Sequence, residues 1–291
     1  MTDRPPFVET HVHFHDFKHP TMKWAWLEWG WIHPILGDIG ALQSQRYLAE
    51  EFLHETRFQN VAKVIHVQAA LGSPDPVDET VWLQEAFERT GIPNGIVAEC
   101  PLADDDAEAI LDRQAEASPN LRGIRNFGQG DYLTDAAWKR GYARLAKHDL
   151  VCCLDSSPEV YAKAKALAQE VPDVTLCLDH TGFPRERTDA YFANWKKELQ
   201  NLAQADNVVI KISGLGMCDP DWTVDSFRPW VETSIEAFGT ERSFFGTNWP
   251  VDRLYSSYGD VLDAYWEIIA GYSPDEKTAL WSGNAERIFR I

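Results

Sequence analysis

Long apolar runs are missing from this 291-residue sequence, and no stretch approaches the roughly 18 residues that a membrane-spanning helix needs. The opening residues, MTDRPPF, carry no apolar core of the secretory kind, so a cytoplasmic location is expected. Positive charge is scarce: 27 Lys and Arg stand against 45 Asp and Glu, a formal net charge of −18, with no basic stripe or cluster. That balance argues against nucleic acid and anionic membrane surfaces as partners, and any acidic substrate needs local Arg or Lys. Cysteine is sparse and odd in number. Cys100, Cys152, Cys153, Cys177 and Cys218 sit in apolar strand-like runs, two of them adjacent, which predicts buried reduced thiols rather than a disulfide framework. There is no internal repeat or low-complexity segment. No Gly-x-Gly-x-x-Gly follows the first strand-like run, which counts against a dinucleotide-binding, doubly wound sheet.

What is present is a chain with 44% hydrophobic residues, enough for one large domain. Short β-branched runs recur along it: FVETHVHF, VAKVIHVQAA, GIVAECPL, LRGIRNF, DLVCCLDS, VTLCLDH, NVVIKISGLG and SFFGTNWP. Amphipathic stretches separate them at 46–58, 77–90, 104–117, 134–146, 158–170, 188–204 and 224–238, with a last pair near 257–271 and 274–289. Asp104, Thr134, Ser157 before Pro158, and Ser273 before Pro274 read as helix starts. Strand and helix alternating in this way imply parallel strands with right-handed crossovers, and eight such units match an α/β fold of the (β/α)8 TIM-barrel type, a single domain over 1–291.

The longest irregular region, residues 15–45, follows the first strand and carries Trp24, Trp26, Trp29 and Trp31. Loops after strands lie on the catalytic face of such a barrel. These rings are expected either to pack the loop onto the rim or to wall a ring-shaped substrate.

Side chains two apart share a face of a strand. His11 and His13 are therefore expected in the barrel lumen, with Glu9 one step deeper and Val12 and Phe14 outward. Two histidines at that spacing can converge on one ion. The same rule places His66, Gln68, Glu99, Arg125, His180, Lys211, Ser213 and Asn248 at the strand ends, with Asp155 added if the fifth strand has the right phase. So many polar groups at one end of an apolar lumen mark an active site more often than a structural network. An inward Arg125 needs a carboxylate, which favours an anionic substrate, whereas Arg122, three residues earlier, faces outward.

These residues resemble a family. The His-x-His pair, LDHTGFP on strand six, IKISGL on strand seven, FFGTNWPVD on strand eight and the terminal WSGNAERIF are similar to the amidohydrolase superfamily, in the branch that holds sugar lactonases and pyrone dicarboxylate lactonase. The resemblance spans essentially the whole chain. It implies a barrel hydrolase that opens a lactone or related carbonyl bond of a small, anionic, cyclic substrate, with a divalent metal (zinc or manganese) or with none. On this basis His11, His13 and His180 are the expected metal ligands, His180 also acts in catalysis, and Arg125 and Lys211 hold the substrate. His66, Gln68, Ser213 and Trp249 complete its lining.

The sequence departs from the family pattern where relatives carry an aspartate on strand eight. Asn248 stands there, and an amide is neither a base at neutral pH nor a strong ligand. Asp252 and Glu99 are the candidate replacement bases, and Asn248 stays in the catalytic set. The alternative readings are a metal-dependent decarboxylase of aromatic acids and a binding protein that has lost its chemistry. A homo-oligomer is left open.

Overall fold

Runs rich in Val, Ile, Leu and Cys form eight parallel strands in the computed structural model, which describes residues 4–291 apart from 31, 34 and 129. They are β1 (Phe7–Val12), β2 (Val61–Val67), β3 (Gly95–Ala98), β4 (Leu121–Arg125), β5 (Val151–Leu154), β6 (Leu176–Leu178), β7 (Val208–Ile212) and β8 (Ser243–Phe245). Each pairs with the next in sequence. The ring closes where Val12 bridges Trp249: the His13 N–H donates to the Trp249 carbonyl at 2.8 Å and the Trp249 N–H to that of His11 at 3.1 Å. The fold is a (β/α)8 barrel. Closure rules out the doubly wound sheet.

Helices α1 (Ala49–Glu55), α2 (Val77–Thr90), α3 (Ala107–Ala117), α4 (Ala136–Arg144), α5 (Tyr161–Glu170), α6 (Asp189–Leu202), α7 (Val224–Phe238) and α8 (Tyr258–Ile268) follow the strands in turn. Helix α9 (Pro274–Thr278) runs through a π turn into α10 (Asn284–Phe289). Ser273 caps α9 as expected, in a reciprocal box with Glu276. Asp104 and Thr134 cap no helix, whereas Ser157 stands at the N-cap of a 3-10 turn, Pro158–Val160, that leads into α5, without a side-chain capping bond. The Asp135 carboxylate takes the Trp138 N–H instead, one residue beyond Thr134, because a short 3-10 turn occupies Tyr132–Thr134. The expected helix over 46–58 shrinks to α1, since Arg46–Tyr47 pairs antiparallel with His15–Asp16 and clips together the ends of the long loop.

Two apolar layers hold the barrel. Phe7, Val12, Phe14, Ile124, Leu154 and Leu178 belong to the core beneath the helices. Val8, Ile65, Val67, Val97, Val151, Cys153, Cys177, Val209 and Phe244 belong to a separate cluster closed by Ala285, Ile288 and Phe289 of α10. That second set alternates with the first along every strand but β4 and fills the lumen from below. The long loop has its own small core of Met22, Trp24, Leu27, Ile39 and Leu42, set against Phe183, Met217 and Val251. All five cysteines are free thiols. No helix among the described residues is long and apolar enough to cross a membrane.

Candidate active site

Above the apolar plug the lumen turns polar and opens, at the C-terminal strand ends, into a cavity of about 310 Å³. His13, Gln68, Arg125, Asp155, His180 and Asn248 supply its chemistry, and Trp26, Leu71, Phe127, Phe183 and Val251 supply apolar wall. The sequence reading named five of those six polar groups as site residues. Arg185 lies at the exposed edge with its guanidinium over the Phe183 ring. Of the four loop tryptophans, Trp24 is buried and donates to the Phe14 carbonyl, and Trp26 lines the cavity edge-on to His13. Trp29 is 73% exposed, and Trp31 lies outside the described residues.

The two strand-end imidazoles of the cavity, His13 and His180, are oriented by their inner nitrogens. His13 Nδ1 lies 2.8 Å from the Val67 carbonyl and His180 Nδ1 lies 3.2 Å from Ser213 Oγ, which leaves each Nε2 for the cavity. Burial, joined by the Arg125 and Lys211 charges, holds both rings well below the usual histidine pKa, so they are neutral at physiological pH. His180 reaches this position from a strained turn. His180, Thr181 and Phe183 have φ of 52°, 56° and 50°, and Asn248, beyond the end of β8, has 59°. Non-glycine residues rarely occupy that region, and each costs on the order of 1 kcal/mol, so the rest of the fold must impose it.

Arg125 is locked from behind. Its Nε and Nη2 donate to Gln68 Oε1 at 2.8 and 2.6 Å, Nη2 also reaches the Gln68 carbonyl, and Gln68 Nε2 donates to Glu99 Oε2 at 2.7 Å. Glu99 faces inward as expected but is spent on this relay and does not line the cavity.

One layer deeper, Asp179 gathers the charges. Its Oδ1 is 2.8 Å from Lys211 Nζ, and its Oδ2 is 3.9 Å from His11 Nδ1 and 4.0 Å from Arg125 Nη1. Burial disfavours the Lys211 ammonium, but Asp179 outweighs it and the pKa rises. Lys211 is fully buried and lies outside the cavity lining, so it does not hold substrate as expected. Asp179 was not singled out in the sequence, although alternation from Cys177 puts it on the inward face.

The expected third imidazole is not offered to the cavity. His11 Nδ1 lies 3.4 Å from Lys211 Nζ and its Nε2 lies 3.4 Å from Arg125 Nη1, so fixed cations flank both nitrogens. Among the described residues, the His, Cys, Asp and Glu donors that come within 4.8 Å of one another in a group of three are those of Cys153, Cys177 and Asp179. Burial raises the Cys177 thiol, and Lys211 holds Asp179, so that trio is not a metal centre. His13, His180 and Asn248 line the same cavity and offer it two imidazole nitrogens and an amide group. Asn248 Nδ2 donates to Asp252 Oδ1 at 3.0 Å, and this turns the amide oxygen away from Asp252. Asp252 is buried behind Asn248, and burial lifts its carboxyl to about 7.

Four further expectations are corrected. His66 faces out of the lumen, because Ile65 and Val67 take the inward positions of β2; its Nε2 accepts the Phe14 N–H at 2.9 Å beneath the helices. Trp249 also points outward, its indole N–H on Glu55 Oε2 at 3.0 Å and its ring edge-on to Tyr258 of α8. Ser213 touches His180 rather than the cavity. Glu9 leaves the lumen as well. The β1–β2 register slips between Glu9 and Val12, and the carboxylate takes hydrogen bonds from Thr247, Tyr258 and the His11 N–H.

Comparison with known proteins identifies the family. The amidohydrolase family model matches residues 8–291. The uncharacterized protein y4mH of Sinorhizobium fredii is 36% identical, over 96% of this chain and 97% of that protein. An L-fucono-1,5-lactonase of Burkholderia multivorans is 28% identical over 98% and 96%. A crystal structure of an amidohydrolase from Burkholderia multivorans with bound zinc has a TM-score of 0.85 and 26% identity, covering 99% of this chain and 100% of that one. The chain belongs to the amidohydrolase family. It is an enzyme of that superfamily, a hydrolase with a small-molecule substrate.

Proposed function

We propose that the protein hydrolyses a lactone or closely related cyclic ester bearing a carboxylate. One arrangement carries this reading: two neutral imidazoles and a guanidinium locked in place meet in a single cavity whose walls are otherwise largely apolar. Arg125 lines the cavity with its guanidinium over the Phe127 ring, and its positive charge stabilises negative charge developing on a carbonyl oxygen there. His13 and His180, with Nδ1 engaged behind them, direct Nε2 at the same region. Trp26 and Phe127 flank a ring, and the exposed Arg185 meets a carboxylate at the mouth. The lactonase relative supports the reaction class.

His13, His180 and Asn248 are the residues that would hold a divalent ion of the kind bound in the solved Burkholderia multivorans relative. Such an ion supplies Lewis acidity to the carbonyl. Lys211 and Asp179 fix His11 and Arg125 from below and touch no substrate in this scheme.

The test is a panel of lactones with and without carboxylates, assayed by acid release beside a direct assay for carbon dioxide. Ring opening without carbon dioxide is the expected result, and carbon dioxide from an aromatic acid would transfer the site to decarboxylation. His180→Asn should abolish turnover while circular dichroism stays unchanged; a variant that turns over normally refutes the role given to this ring.

A further inference from the structure

We propose that Asp155 takes the proton of the attacking water and returns it to the departing ring oxygen; the assignment rests on the hydrolase reading above. Asp155 continues the inward column Val151, Cys153 of β5 by one more alternate position and reaches the cavity. It is the only carboxylate among the described residues lining that cavity. The other two candidates are engaged elsewhere: Glu99 on Gln68 and Asn126, Asp252 on Asn248. The Asp155 carboxylate takes no hydrogen bond from the described residues, which leaves its lone pairs for a water or a ligand.

Arg125 from β4, Asp179 beyond β6 and Arg185 from the following loop are the charges that bear on it. Burial and Asp179 disfavour the carboxylate and the two guanidiniums favour it, which leaves the group raised to about 6. A group so placed is ionised at neutral pH yet can carry a proton through one turnover.

In the first half-reaction the water oxygen bonds to the carbonyl carbon, one water proton passes to Asp155, and the carbonyl π pair moves onto oxygen beside Arg125. In the second half-reaction that pair re-forms the double bond and the ring carbon–oxygen bond breaks. The proton on Asp155 then passes to the leaving oxygen. Lactone and water have become a hydroxy acid, and Asp155 is a carboxylate again.

The experiment uses the full chain and a lactone that the wild type opens. Asp155→Asn should lower kcat by about 100-fold or more with KM nearly unchanged, and should remove the acid limb of the kcat–pH profile. In Asp155→Ala, added formate should restore part of the lost rate. An Asn variant with wild-type kcat, or one altered in KM alone, overturns the proton role and makes Asp155 a substrate-binding group. A folded Ala variant that formate cannot revive overturns it too. If the wild type opens no lactone at all, the hydrolase reading fails and takes this assignment with it.

Discussion

At the scale of single residues, the groups that face the cavity are held in place by others. Arg125 has several rotatable bonds, and freezing such a side chain costs on the order of 1–2 kcal/mol. Gln68 meets that cost with three contacts to the guanidinium, and Glu99 fixes which way round the Gln68 amide sits. Removing Glu99 frees the amide to rotate and Arg125 to follow it. Glu99→Ala should therefore lower kcat/KM about tenfold, equivalent to ~1.4 kcal/mol of transition-state binding, and leave the shape of the pH profile intact. Steady-state kinetics across pH decide the matter, since loss of the acid limb would mean that Glu99 moves the proton itself. Lys211 obeys the same logic one layer down: the ion pair with Asp179 keeps a charge beneath the cavity where burial alone would disfavour it.

At the scale of elements, two strand ends are bent to deliver their side chains. His180 follows β6 out of phase with the lumen, and only its left-handed φ swings the ring inward. Gly214, just beyond β7, makes room for it: with φ at +63°, a Cβ there would lie 2.6 Å from His180 Nδ1 and 2.7 Å from Met217 Cε. Gly214→Ala should cost about 1–3 kcal/mol and displace the ring, so thermal unfolding and turnover should fall together. An unaltered melting temperature would mean that the glycine is not needed for this approach. The same geometry explains what could be read in advance. Regular alternation put Arg125, Lys211 and Asp155 on the inward face, and the motifs singled out His13, His180 and Asn248. Alternation failed where the backbone is irregular, at the β1 slip that sends Glu9 outward and in the phase of β2 that puts His66 under the helices. Arg185, Phe127 and His33 reach the cavity from loops, where no periodicity announces a facing. Asp179 was legible by alternation from Cys177, but the histidine beside it drew the functional reading.

For the molecule as a whole, the acidic composition and the buried carboxyls act on stability in the same direction. Asp252 is 2% exposed and its carboxyl is lifted from 3.8 to about 7 by burial; Glu79 is 4% exposed, receives the Ala69 and Ala70 N–H groups, and is lifted from 4.5 to about 7, again by burial. A raised acid holds its proton in the native state at pH values where the unfolded chain has released it. The native form then binds more protons, and stability falls as pH climbs from the unfolded pKa to the folded one. Each group contributes on the order of 3 kcal/mol to that fall, which starts near pH 4 and levels off a little above 7. The repulsion of a chain with formal charge −18 adds to the fall as the remaining carboxyls ionise. Asp252→Asn isolates one part of the effect, because the amide oxygen can still accept from Asn248 while the charge is gone. The urea midpoint of this variant should match that of the wild type near pH 4, exceed it progressively toward pH 7, and keep a constant lead above that. A lead that does not vary with pH would mean that Asp252 is ionised in both states throughout, and the carboxyl behind Asn248 would then be a permanent negative charge at the floor of the site.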